Sequence, residues 1–137
     1  MTTKPFVVCE FHELIAMQRV FREAKFCTEE DDEEISDSPI VAAMFSRLME
    51  ALIDTEVGLD GEPARAGWRN WLMMTDTSRN EWSAAIRRAQ KKVAWQQWSD
   101  EKRKEYVKIL FDPFVLSNEM MSRFIADVTT YFVNKQP

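Results

Sequence analysis

Ser38-Pro39-Ile40-Val41-Ala42-Ala43-Met44-Phe45-Ser46-Arg47-Leu48-Met49-Glu50-Ala51-Leu52 is the stretch that decides the fold. Serine followed by proline is a helix start. The hydroxyl satisfies a free amide, and proline in the first turn lacks an N–H that would have no partner there. Val41, Met44, Phe45, Leu48 and Leu52 then recur at helical spacing, while Ser46, Arg47, Glu50 and Asp54 fall on the other side. Gly58 stands where a left-handed stop is wanted, and Leu59-Asp60-Gly61 reads as a turn.

The same reading extends in both directions. Upstream, a helix is expected from about Cys9 to Cys27, with one stripe of Leu14, Met17, Phe21 and Ala24 and a second of Phe11, Ile15 and Phe26. Residues 1–8 are expected to be a tail, with Phe6-Val7-Val8 as a short extended alternative, and nothing in them reads as a secretory leader. Downstream, a short third helix spans about Pro63 to Met74. Ser78-Arg79-Asn80-Glu81 has capping-box spacing and opens a fourth that runs to about Trp98. Ser99-Asp100-Glu101 opens a fifth, stopped by Asp112-Pro113 after Phe111. Ser117 caps a sixth with Met121, Phe124, Ile125, Val128 and Phe132 as its buried stripe.

The expectation is all-α: an irregular bundle of five or six amphipathic helices in a single domain covering 1–137. Only 3 Gly and 5 Pro stand in 137 residues, too few for a many-stranded, turn-rich β-fold. No apolar run approaches the roughly 18 residues of a membrane span, so no membrane partner is expected. Cys9 and Cys27, at opposite ends of one helix, are too far apart for a disulfide, and two free thiols fit a cytoplasmic setting.

The net charge of −5 hides a division. Residues 1–64 hold 15 acids and 5 bases, so −10. Residues 65–137 hold 8 acids and 13 bases, so +5. Such a polarised chain is built for electrostatic contacts, with itself or with a partner.

Catalytic and metal constellations are missing. His12 is the one histidine, so a zinc-protease pair or a di-metal bundle cannot be assembled, and it falls with Arg19 and Glu23 on the polar side of its helix. Gly58, Gly61 and Gly67 do not form a phosphate loop. Glu29-Glu30-Asp31-Asp32-Glu33-Glu34 lacks the sixth-position glycine of an EF-hand. The expectation is therefore no enzyme, no metal and no cofactor.

Two surfaces are the candidate partner-binding sites. One is the acidic run Glu29, Glu30, Asp31, Asp32, Glu33 and Glu34, inside an expected loop over 28–37. Such a block either solvates the chain or meets a basic partner. The other lies on the fourth helix. Trp82, Ile86, Ala89 and Val93 form its core stripe, whereas Arg87, Arg88, Lys91, Trp95 and Trp98 fall on the opposite half, followed by Lys102-Arg103-Lys104. Bases beside tryptophans make interface hot spots or nucleic-acid platforms. The competing reading packs Trp95 and Trp98 into the corner between the fourth and fifth helices.

Small size, free thiols, a helical build and opposite charge poles resemble the general run of small bacterial or phage accessory proteins: inhibitors, immunity proteins and assembly chaperones. That resemblance is one of type and carries no residues over. The absence of catalytic constellations, the charge segregation and the basic, tryptophan-bearing face point to a non-catalytic protein-binding factor, an inhibitor or adaptor acting through its charged faces, with a protein partner. Nucleic-acid binding through Arg87, Arg88, Lys91, Lys92, Lys102, Arg103 and Lys104 ranks behind it, because the chain as a whole is acidic. Self-association as a homo-oligomer, acidic loop to basic face, is the third reading.

Overall fold

A computed structural model describes residues 3–27 and 32–136. Helix α3, Pro39–Asp60, starts as its sequence predicts, with the Ser38 hydroxyl accepting the Val41 N–H at 3.1 Å. It does not stop at Gly58. The chain continues to Gly61, whose φ of 91° and N–H bond to the Val57 carbonyl make the terminus. Its buried face is Ala42, Phe45, Met49, Leu52 and Ile53, rotated from the expected stripe so that Met44 is exposed. The rotation follows from two neighbours, since both α1 (Phe11–Arg22) and α4 (Pro63–Leu72) pack on α3.

Helix α1 passes into a π turn, Glu23–Cys27, which carries Lys25 and Phe26 into the core. The two cysteines are free and exposed. Residues 3–9 form no helix or strand, and Phe6 and Val7 are exposed. Within the expected acidic loop, the described part is instead a one-turn helix, α2 (Glu33–Ser36). The Asp32 carboxylate accepts the Glu34 N–H at 3.0 Å and starts it.

Helix α4 ends two residues before the expected Met74, because Met73–Met74 (β1) pair in parallel with Val115–Leu116 (β2). The expected capping box before α5 (Asn80–Ala89) does not form. Arg79 takes Glu81 at 2.8 Å and donates to the Trp71 carbonyl at 2.6 Å, while Asp76 accepts the Ser78 N–H. One guanidinium thereby satisfies a carbonyl left over at the end of α4.

The largest departure follows. The fourth helix stops at Ala89 rather than Trp98, and Val93–Gln97 is a 3₁₀ turn. On one straight helix Trp82 and Trp95 would face opposite ways, leaving one indole in water. Breaking the helix buries both. Trp95 is 0 % exposed and donates its indole N–H to Thr129 at 3.2 Å, whereas Val93, expected in the core, is 71 % exposed.

Helices α6 (Asp100–Phe111) and α7 (Asn118–Lys135) begin at Ser99 and Ser117 as expected, each hydroxyl accepting an amide three residues on. Trp82, Phe111 and Phe124 meet at centroid separations of 5.2 to 5.9 Å in the centre of an all-α domain. Phe124, Val128 and Phe132 are buried on α7, with Met121 and Ile125 at the edge of the core.

Candidate functional site

The end of α6 illustrates how this chain uses its cations. The Ile109 carbonyl would ordinarily accept from residue 113, but Pro113 has no N–H. Lys25 supplies the donor. Its Nζ, fully buried, lies 2.6 Å from the Ile109 carbonyl and 2.6 Å from that of Asp112. Burial pushes its pKa down to about 7, against the pull of the Asp112 carboxylate.

The basic candidate surface is taken apart by the same habit. Arg88 is 3 % exposed and Arg87 half-buried, so these two do not stand out as a contact face. Arg103 donates through Nε and one terminal nitrogen to the Trp95 carbonyl, at 3.1 and 2.9 Å, and lies over the Trp95 ring. Trp95 is inaccessible. The continuous face of Arg87, Arg88, Lys91, Trp95 and Trp98 expected from the sequence therefore does not exist, because the helix that would carry it ends at Ala89. What stays at the surface is Lys91, Lys102, Lys104 and one side of Trp98, with Lys102 Nζ 5.6 Å from the Trp98 ring. Trp98 packs on Trp95 and Tyr106 at the corner before α6.

The acidic candidate surface meets the Trp98 end of that remnant through Tyr106. Glu29, Glu30 and Asp31 fall outside the described residues, while Asp32, Glu33 and Glu34 are exposed. Lys92 reaches Glu33 at 3.3 Å and pairs with Asp37, to which the Tyr106 hydroxyl also donates at 3.1 Å. Burial opposes the Lys92 charge, but Asp37 and Glu33 outweigh it and hold its pKa above the ordinary value. Burial first and Asp37 second push the Tyr106 phenol up, so it stays a neutral donor. The two charge poles of the sequence thus touch within one chain.

A third place escaped the sequence reading. Helices α1 and α4 leave an open cleft of about 560 Å³ between them over α3. Gln18, Arg19 and Arg22 come from α1, Glu56 from α3, and Trp68 and Trp71 from α4. The Trp68 indole N–H donates to the Glu56 carboxylate, and the Arg22 guanidinium stands 5.8 Å from the Trp71 ring centroid. Among the described residues, no carboxylate pairs with Arg19 or Arg22, in contrast with Arg65, Arg79 and Arg103. The signals available in the sequence were the i, i+3 pairs Arg19/Arg22 and Trp68/Trp71. That they share one cleft depends on how both helices dock on α3.

Among the described residues, no group of three or more His, Cys, Asp or Glu is placed to hold a metal ion, and no helix is long and apolar enough to cross a membrane. No family model, curated protein or solved structure matches the chain.

Proposed function

We propose that the chain is a non-catalytic protein-binding factor, an inhibitor or adaptor of the bacterial or phage accessory type, working in a reducing cytoplasm. The observation that carries this reading is the Lys92 contact with Glu33 and Asp37. With the Tyr106 bond to Asp37 and the Trp98 packing on Tyr106, it links the acidic segment to Trp98 and the Lys102 above it, and so joins two distant stretches of sequence in one bipolar surface. Trp is among the residue types that dominate binding energy, and flanking charges of both signs fix the orientation of a protein partner. Exposed free thiols at Cys9 and Cys27 fit a reducing compartment.

A bipolar surface suits a protein better than a polyanion, since Asp32, Glu33 and Glu34 would repel phosphates. The test is affinity capture from the native host at low salt with crosslinking, run in parallel with Lys102→Glu/Lys104→Glu. A partner retained by the native chain and lost by the variant supports the reading. Capture of no specific protein sinks it. Retardation of DNA or RNA at about 50 mM salt, lost in the same variant, would replace it with the nucleic-acid reading.

A further inference from the structure

The cleft between α1 and α4 has three features that packing alone does not require. Arg19 and Arg22 bring two guanidiniums to one wall with no described carboxylate paired to either. The Gln18 side chain lines the same wall, is only 5 % exposed, and hydrogen-bonds to no described residue. Its amide atoms are not sealed from solvent, so they keep a donor and an acceptor for whatever occupies the cleft. Gly67 sits on the opposite wall, inside the ten-residue helix α4, where glycine is about 1 kcal/mol worse than alanine. A Cβ there would meet no atom within 4 Å, so neighbouring side chains do not demand the glycine. Its missing side chain is cleft volume.

The chemistry of the walls narrows the occupant. Two guanidiniums against one carboxylate, and that carboxylate engaged by the Trp68 indole, leave a net positive site that favours an anion. Arginine's planar fork fits carboxylate oxygens in pairs. Trp68 and Trp71 stand edge to face, 5.5 Å apart, and offer indole surface to a flat apolar group. The Gln18 amide provides a donor and an acceptor for a polar atom between these two ends. The volume lies within the roughly 300–1,000 Å³ of small-molecule sites.

We propose that this cleft binds a small aromatic carboxylate, with the carboxylate at Arg19 and Arg22 and the ring against Trp68 and Trp71. This site is separate from the bipolar surface, and its failure would leave the protein-binding reading untouched.

The test is an NMR titration of the full-length chain with naphthalene-2-carboxylate, the neutral naphthalene-2-carboxamide and the blocked peptide acetyl-Glu-Phe-Glu-amide. The Trp68 and Trp71 indole N–H signals are assigned from Trp68→Phe and Trp71→Phe. With the carboxylate, these two signals and the Gln18 side-chain amide shift together and saturate, while the Trp82 and Trp95 indoles stay still. The carboxamide binds at least about tenfold more weakly, a difference of the size expected for a lost charge-assisted pair. Arg19→Met/Arg22→Met removes the preference for the carboxylate. Gly67→Leu, which puts a side chain where a Cβ meets no atom within 4 Å, abolishes the shifts in a chain whose thermal midpoint is retained. Equal binding of carboxylate and carboxamide overturns the proposal, as do shifts spread over the whole chain or none up to about 10 mM ligand. Binding of the peptide alone also overturns it and makes the cleft a docking site for an acidic protein segment.

Discussion

The segment from Arg87 to Lys104 and the cleft between α1 and α4 both place arginine beside tryptophan, yet they use the pairing in opposite ways. In the first, Arg103 is turned inward onto the Trp95 carbonyl, and the indole beneath it is buried. In the second, Arg19 and Arg22 face a cleft and the Trp68 and Trp71 rings line it. A guanidinium near an indole therefore does not by itself mark a contact surface. What separates the two cases is whether a backbone carbonyl lies in reach. The 3₁₀ turn after α5 and the end of α4 each present a carbonyl with acceptor capacity to spare, and arginines nearby are drawn to them.

The contrast can be broken most decisively at the tryptophans. Trp95→Ala is expected to cost about 3–5 kcal/mol, since it empties a fully enclosed site and leaves Arg103 without its platform. Trp68→Ala, at a half-open cleft wall, should lose far less. Chemical denaturation of both variants measures the difference, and equal losses would erase the distinction between a spent and an open tryptophan.

Lys25 offers the next largest effect. Its amine binds fewer protons in the folded chain than in the unfolded one between its lowered pKa of about 7 and its ordinary value near 10.4. Stability therefore rises with pH across that window. Between pH 7 and about 9 the gain from this group is on the order of 2 kcal/mol. Denaturation midpoints at several pH values should show the slope, and Lys25→Met should flatten it. A slope unchanged in that variant would mean that Lys25 is not the titrating group.

Arg103→Gln is expected to cost about 1–3 kcal/mol, because it removes two hydrogen bonds to the Trp95 carbonyl, which keeps only the Trp98 N–H, and the cation over the Trp95 ring. Arg19→Gln should stay within about 0.5 kcal/mol of the native chain. A large loss at Arg19 would show that the cleft wall is a structural element after all. The smallest effect is of opposite sign: Gly67→Ala should stabilise the chain by about 0.5–1 kcal/mol, read from the thermal midpoint.

Helix positions were legible wherever a start signal was local. Ser38, Ser99 and Ser117 each cap the helix that follows them. Local signals failed where a distant group intervened. The Ser78 to Glu81 box gave way because Arg79 links Glu81 to the end of α4, and Gly58 was passed over because Gly61 serves as the stop. The fourth helix was read as too long for a related reason. Its wheel carries large aromatics on both sides, and only the presence of α7 and Thr129 tells which way the chain breaks to bury Trp95. The acidic and basic segments were identified as charged but not as neighbours, since the Lys92 contacts join residues far apart in sequence. The cleft was illegible for the same reason: its walls come from three helices.

The Lys92 contacts also govern what an approaching molecule meets first. Opposite charges a few ångströms apart have a field that dies away faster than that of either alone, and salt removes the rest within about 10 Å at 0.1 M. Glu33, Asp37 and Lys92 together present one net negative charge instead of three separate ones, which weakens their part in the capture of a diffusing partner. They act after contact, when a competing charge can open the triad and take one of its members. Binding at this surface should accordingly be an exchange of ion pairs, slow to respond to salt in its association rate and more responsive in its dissociation rate.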